Sequence, residues 1–207
     1  EFISRICLDR DVYVITDEIY EHMLYADCQH FCVAALPGMR QRTFVVNSVS
    51  KMGSATGWRV GWVISPSEYT SRIRGVHDTL VIQAPTPLQK GAVGLLELGD
   101  TFFANIRFDY TPKRDLLIAG LERAGFHITP PQGSYYLFAD YREVADLRDL
   151  SPVEAAKYLI EEVGVATVPG DSFYAKGDGG NGYLRLAFCK NIETLKEATA
   201  RLSKLVK

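Results

Sequence analysis

The 207-residue sequence has no apolar run near the ~18 to 20 residues that span a bilayer, and no charged-then-apolar leader opens it. Neither a membrane-spanning nor a secreted protein is expected. An excess of positive charge is also missing, since 23 Lys and Arg stand against 25 Asp and Glu for a formal net charge of −2. Without a basic footprint to neutralise phosphates, nucleic acid is excluded as a partner. Cysteine is scarce. The four cysteines, Cys7, Cys28, Cys32 and Cys189, contain no C-x-x-C pair, which speaks against a disulfide scaffold and for free thiols in a reducing cytoplasm. His30 lies between Cys28 and Cys32, but the ligand spacing is irregular and a second pair is absent, so no metal site is expected there. Internal repeats and low-complexity tracts are lacking too.

The composition that remains, 47% hydrophobic and 23% charged, is that of a globular protein with a sizeable core. The opening segment EFISRICLDRD spaces Phe2, Ile3, Ile6 and Leu8 for one helical face and reads as entry in mid-domain. NIETLKEATARLSKLVK is an amphipathic helix with basic residues in its last turn and reads as a natural C-terminus. The natural N-terminus is thus expected upstream of Glu1.

DVYVITDE reads as a buried strand that delivers Asp17 to a sheet edge, and TFVVNSVSK as a second strand that ends at Lys51. WRVGWVISP is a third, joined through a link too short for a helical crossover, so it runs antiparallel or joins elsewhere in the sheet. Residues 67–125 turn helical, with a break at the A-P-T-P segment, 84–87. Beyond, FHITPPQGSYYLFADY, VGVATVPGDSFY and GYLRLAFC are strand-like, interleaved with the helix SPVEAAKYLIEEVG, whose Ser151 and Pro152 suit N-cap and N1. GDGGNG at 177–182 reads as a loop. The pattern predicts an α/β fold, with residues 1–109 forming part of a large, mostly parallel-sheet domain and 110–207 a smaller α+β domain.

A lysine in S-V-S-K-M-G-S-A-T-G-W-R, at the end of an apolar strand, would be partly desolvated and its neutral, nucleophilic amine accessible. The surrounding hydroxyls, glycine backbone and Arg59 suit a phosphate. Taken alone, Lys51 reads better as a solvated surface lysine and Asp17 as a cap for D-E-I-Y-E-H. At a neighbouring strand end, however, Asp17 is also the carboxylate that a pyridinium nitrogen requires.

D-E-I-Y at 17–20, followed by S-V-S-K and G-W-R, closely resembles the class I and II aminotransferases of the fold type I pyridoxal-phosphate enzymes. H-D-T-L-V-I-Q-A-P-T-P-L-Q resembles the stretch before the family's interdomain helix, and Q-G-S-Y-Y-L-F its small-domain strand over the substrate. G-Y-L-R-L-A-F at 182–188 resembles the strand that bears the arginine for the substrate's α-carboxylate.

The resemblance implies pyridoxal 5′-phosphate as cofactor, Lys51 as the Schiff-base lysine and Asp17 as the partner of the ring nitrogen. Tyr20 would bond the phenolic oxygen, and Ser48 and Arg59 would hold the phosphate. Arg185 would clamp the substrate; among bare residues, a structural ion pair is the stronger reading for it. Amino acid and 2-oxo acid substrates and a homodimer are implied. The family's phosphate turn, stacking aromatic and asparagine have no counterpart before Asp17. A carbon–sulfur β-lyase and an aminocyclopropane-carboxylate synthase share this scaffold, and a non-catalytic interaction domain is the alternative of another class.

Overall fold

The computed structural model describes residues 1–175 and 179–205. The loop expected at 177–182 therefore begins outside the described residues. The chain divides into two compact units, Glu1–Ile106 and Arg107–Lys207.

In the first unit, α1 (Phe2–Asp9) precedes β1 (Val14–Asp17). β2 (Thr43–Ser48) runs parallel to β1, with Val14 opposite Thr43 and Asp17 opposite Val46. β3 (Gly61–Ile64) returns antiparallel to β2, because the intervening link has no room for a crossover. Strand β2 alternates strictly. Thr43, Val45 and Asn47 are buried while Phe44, Val46 and Ser48 are half-buried, the period-2 signature of a sheet with one better covered face.

The strand expected to end at Lys51 stops at Ser48. Ser48 takes extended backbone and its hydroxyl accepts from the Ser50 N–H at 3.2 Å. That bond satisfies an otherwise orphan donor and starts a helical turn, α2 (Val49–Met52). Lys51 thus stands on a short helix after the strand rather than on the strand itself. Val49 on the same turn is fully buried against Val60 and Ala92, which pins α2 from below.

Three helices follow. α3 (Ser67–Val81) and α4 (Thr86–Leu96) are separated by the expected Pro-containing break, since Pro85 and Pro87 remove backbone donors. α5 (Asp100–Arg123) carries Pro112 inside it and runs through the division between the units. No residue of α3 is buried, and Val76, Leu80, Val81 and Ile82 are each more than 60% exposed. A helix face this apolar and this open is a surface shaped for cover.

The second unit holds a four-stranded antiparallel sheet of order β4-β5-β7-β6. Its strands are β4 (His127–Ile128), β5 (Tyr136–Asp140), β6 (Val168–Pro169) and β7 (Tyr183–Ala187). The long strand expected in VGVATVPGDSFY is confined to β6, because Gly170–Phe173 turns into a 3-10 helix. β5 and β7 send Leu137, Ala139, Leu184 and Leu186 to the core, where Leu121, Leu159 and Leu202 are also buried. α6 (Pro152–Tyr158) starts at the expected cap, a full capping box of Ser151 and Glu154, which is worth about 1 kcal/mol. α7 (Ile192–Leu202) is capped by Asn191 and buries Leu195, Thr199 and Leu202. Among the described residues no helix is long and apolar enough to cross a membrane.

Candidate active site

The parallel pairing of β1 and β2 brings two chain segments to one edge of the first sheet. Asp17 closes β1 opposite Val46, and two residues beyond Val46 the chain reaches Ser48 and turns into α2. Asp17 is exposed. Its Oδ1 accepts from the Ile19 N–H at 3.3 Å, but residues 19–22 form turns rather than the helix that Asp17 was expected to cap. The carboxylate therefore faces outward from a turn, with capacity left for a cationic partner.

Lys51 is half-buried, and its Nζ lies 6.0 Å from the centroid of the Tyr20 ring. Ser48, Ser50 and Arg59 line one cavity of about 1130 Å³; Asp17, Tyr20 and Lys51 are not part of its lining. Arg59 is exposed and adopts left-handed backbone, φ 55°, a conformation that costs a non-glycine residue and is found where local contacts enforce it. One such contact is the guanidinium donating to the Thr56 carbonyl at 3.0 Å. Thr56 in turn donates to the Ser50 carbonyl at 3.0 Å, so the loop that carries Arg59 is tied back to the turn that carries Lys51.

Two polar groups beside this edge escaped the sequence reading. Glu18 is a buried carboxylate that accepts from the Thr16 hydroxyl at 2.8 Å and pairs with His30 Nε2 at 2.9 Å. Burial alone would raise its pKa, but hydrogen bonds from His30, Thr16 and Cys32 outweigh it and hold the carboxyl below its ordinary range. Glu18, Glu21 and His30 bring their ligand atoms within 4.8 Å of one another. Thr16 and His30 already satisfy Glu18, so this network braces the turn that follows Asp17. Asn47 is the second group, buried and donating to Glu21. Its signal was legible as a polar residue on the buried phase of the Thr43, Val45, Asn47 alternation.

Arg185 belongs to the second unit. It stands in β7 opposite Phe138 of β5 and Val168 of β6. It is half-buried, because alternation sends Leu184 and Leu186 to the core and Arg185 to the other face. Among the described residues it forms no ion pair. Its guanidinium carbon lies 4.3 Å from the Tyr136 ring centroid and 4.4 Å from that of Phe173. Its cation thus sits against two aromatic rings, and among the described residues no carboxylate pairs with it.

Residues 1–202 match the family described as aminotransferase class I and II. The methionine aminotransferase of Escherichia coli is 34% identical over 94% of this chain and 50% of its own length. The human kynurenine–oxoglutarate transaminase 1 is 33% identical over 99% of this chain and 52% of its own. The solved structure of N-succinyldiaminopimelate aminotransferase from Mycobacterium tuberculosis superposes with a TM-score of 0.92 at 35% identity, covering 99% of this chain and 52% of that one. The chain spans about half the length of the curated relatives it matches.

Proposed function

The chain belongs to the family of class I and II aminotransferases, and from that premise we propose that the complete enzyme moves an amino group between an amino acid and a 2-oxo acid, using pyridoxal 5′-phosphate. One observation carries the reading: β1 and β2 end together, so that Asp17, Ser48 and the Lys51 turn share one sheet edge. In parallel sheets the carboxyl ends of strands are where ligands bind.

The donors at this edge suit that cofactor. Asp17 offers an outward carboxylate to a ring nitrogen, Tyr20 a hydroxyl to a phenolic oxygen, and Ser48 with Arg59 a hydroxyl and a guanidinium to a phosphate. When bound, the cofactor supplies an electron sink for the bond broken at the substrate's α-carbon. Lys51 would be the residue that holds it through Nζ, and the free amine of Lys51 would move the proton to and from that carbon. Asp17 keeps the ring nitrogen protonated. Arg185 holds the substrate's carboxylate so that the breaking bond is correctly oriented.

Turnover that requires a 2-oxo acid acceptor tests this activity. Keto product formed with no acceptor present would instead identify a β-lyase. The intact set of Lys51, Asp17 and Arg185 argues against a purely structural interaction domain, which has no use for an attaching lysine. The four cysteines, all unpaired, support a reducing, cytoplasmic setting.

Arg185→Lys is expected to lower kcat/KM at least tenfold while the protein stays folded. Lysine offers a point charge in place of a planar fork, and a charge-assisted contact is worth about 1.5 to 3 kcal/mol. Steady-state kinetics with an amino acid donor check this. Unfolding, or unchanged kinetics, would return Arg185 to a structural role.

The family resemblance implies a homodimer, and the exposed apolar residues of α3 and Ile15 of β1, at 76% exposed, are surface that the rest of the enzyme or a partner subunit would cover. We expect the complete enzyme to be a homodimer. Sedimentation of the full-length protein as an active monomer would count against it.

A further inference from the structure

We propose that Tyr136 and Phe173 are positioning residues that hold the Arg185 guanidinium edge-on for a carboxylate; this deepens, and rests on, the reading of Arg185 as the substrate clamp. The starting point is the alternation of the second sheet. β5 and β7 bury Leu137, Leu184 and Leu186 on one face, so Tyr136, Phe138, Tyr183 and Arg185 share the other. Tyr136 stands one pair removed from Arg185 along this face, since Phe138 is its direct partner. Phe173 arrives from the turn Gly170–Phe173 that follows β6, and its own ring lies 5.5 Å from that of Phe138.

The two rings flank one cation at 4.3 and 4.4 Å, well inside the ~6 Å over which a ring face attracts a guanidinium. A guanidinium presents its five N–H donors only in its plane. A ring lying over a guanidinium face therefore costs it no donor. Rings so placed would exclude face-on water and leave the in-plane fork as the open edge, which is the geometry that a carboxylate's two oxygens match. They also fix a long side chain in one orientation before a ligand arrives, which lowers the ordering cost of binding. The absence of any ion pair to Arg185 among the described residues fits an arginine kept oriented by rings rather than by an internal acid. Of the adjacent tyrosines, Tyr135 is buried, whereas Tyr136 is half-buried against the cation.

The test uses the full-length, cofactor-loaded enzyme and two matched probes, 3-phenylpropionate and its neutral amide, with dissociation constants read by calorimetry. Tyr136→Leu and Phe173→Leu are each expected to weaken the carboxylate about tenfold and leave the amide unchanged. In turnover, KM rises with little change in kcat. Tyr136→Phe keeps the ring and is expected to bind as the parent does. Phe173 is 44% exposed, so its variant is expected to fold even if Tyr136→Leu does not.

Equal weakening of the carboxylate and the amide would make the rings ordinary pocket walls and overturn the proposal. So would carboxylate binding unchanged in Phe173→Leu, or a Tyr136→Phe variant as weak as a leucine variant. Arg185→Lys in the same assay separates the two claims. If it binds the carboxylate as well as the parent, the clamp reading itself falls; if it alone weakens binding, only the role of the rings does.

Discussion

Lys51→Ala in the complete enzyme is expected to lower turnover by about a hundred- to ten-thousandfold, the contribution typical of a positioned proton-transferring side chain. The loss would have two sources, since in the proposed role the same amine both attaches the cofactor and carries the proton. Fold should survive, because Lys51 is half-buried and α2 is held by fully buried Val49 and by the Ser48 cap. Cofactor should still bind, without a covalent bond, through Asp17, Ser48 and Arg59. A small added amine such as methylamine should therefore restore part of the rate. Kinetics of the variant with and without methylamine make the check. A variant that keeps parental turnover would remove Lys51 from the mechanism.

Asp17→Asn should come next in size and should depend on pH. An opposite charge within ~4 to 6 Å shifts a pKa by ~1 to 3 units, and each unit is a factor of ten. In the proposed role the Asp17 carboxylate would raise the pKa of the ring nitrogen, so its loss would lower that pKa and leave the ring unprotonated at neutral pH. The expected fall in kcat/KM near neutrality is then about ten- to a thousandfold. The deficit should shrink as the pH drops, because solvent protons then do what Asp17 did. Asparagine retains an oxygen for the Ile19 N–H that Asp17 accepts at 3.3 Å, so the turn should hold. A pH–rate profile parallel to the parent's would contradict the assignment.

The elements with strong local chemistry were readable in advance. The Ser151 cap, the break at Pro85 and the antiparallel return of β3 each follow from one residue type or one link length. The resemblance to the aminotransferase family, carried by D-E-I-Y, S-V-S-K and G-W-R, agrees with the match over residues 1–202. What the pattern hid was competition between a side chain and the backbone. V-S-K continues a β-like run, and only the Ser48 hydroxyl bonding Ser50 N–H turns it into α2. Arg185 stands between apolar neighbours in the sequence, and strict alternation with Leu184 and Leu186 turns it to the opposite face. The Glu18, Glu21 and His30 grouping depends on how the chain after β1 folds back, which no spacing encodes.

The central claim is that the cofactor is joined to Lys51, and borohydride reduction of the full-length enzyme loaded with pyridoxal phosphate, followed by peptide mapping, tests it most directly. Reduction makes the join permanent, so the mass of the reduced cofactor should appear on the peptide that contains Ser48–Val49–Ser50–Lys51 and vanish in Lys51→Ala. Label on another lysine, or label of equal amount surviving in Lys51→Ala, would contradict the account.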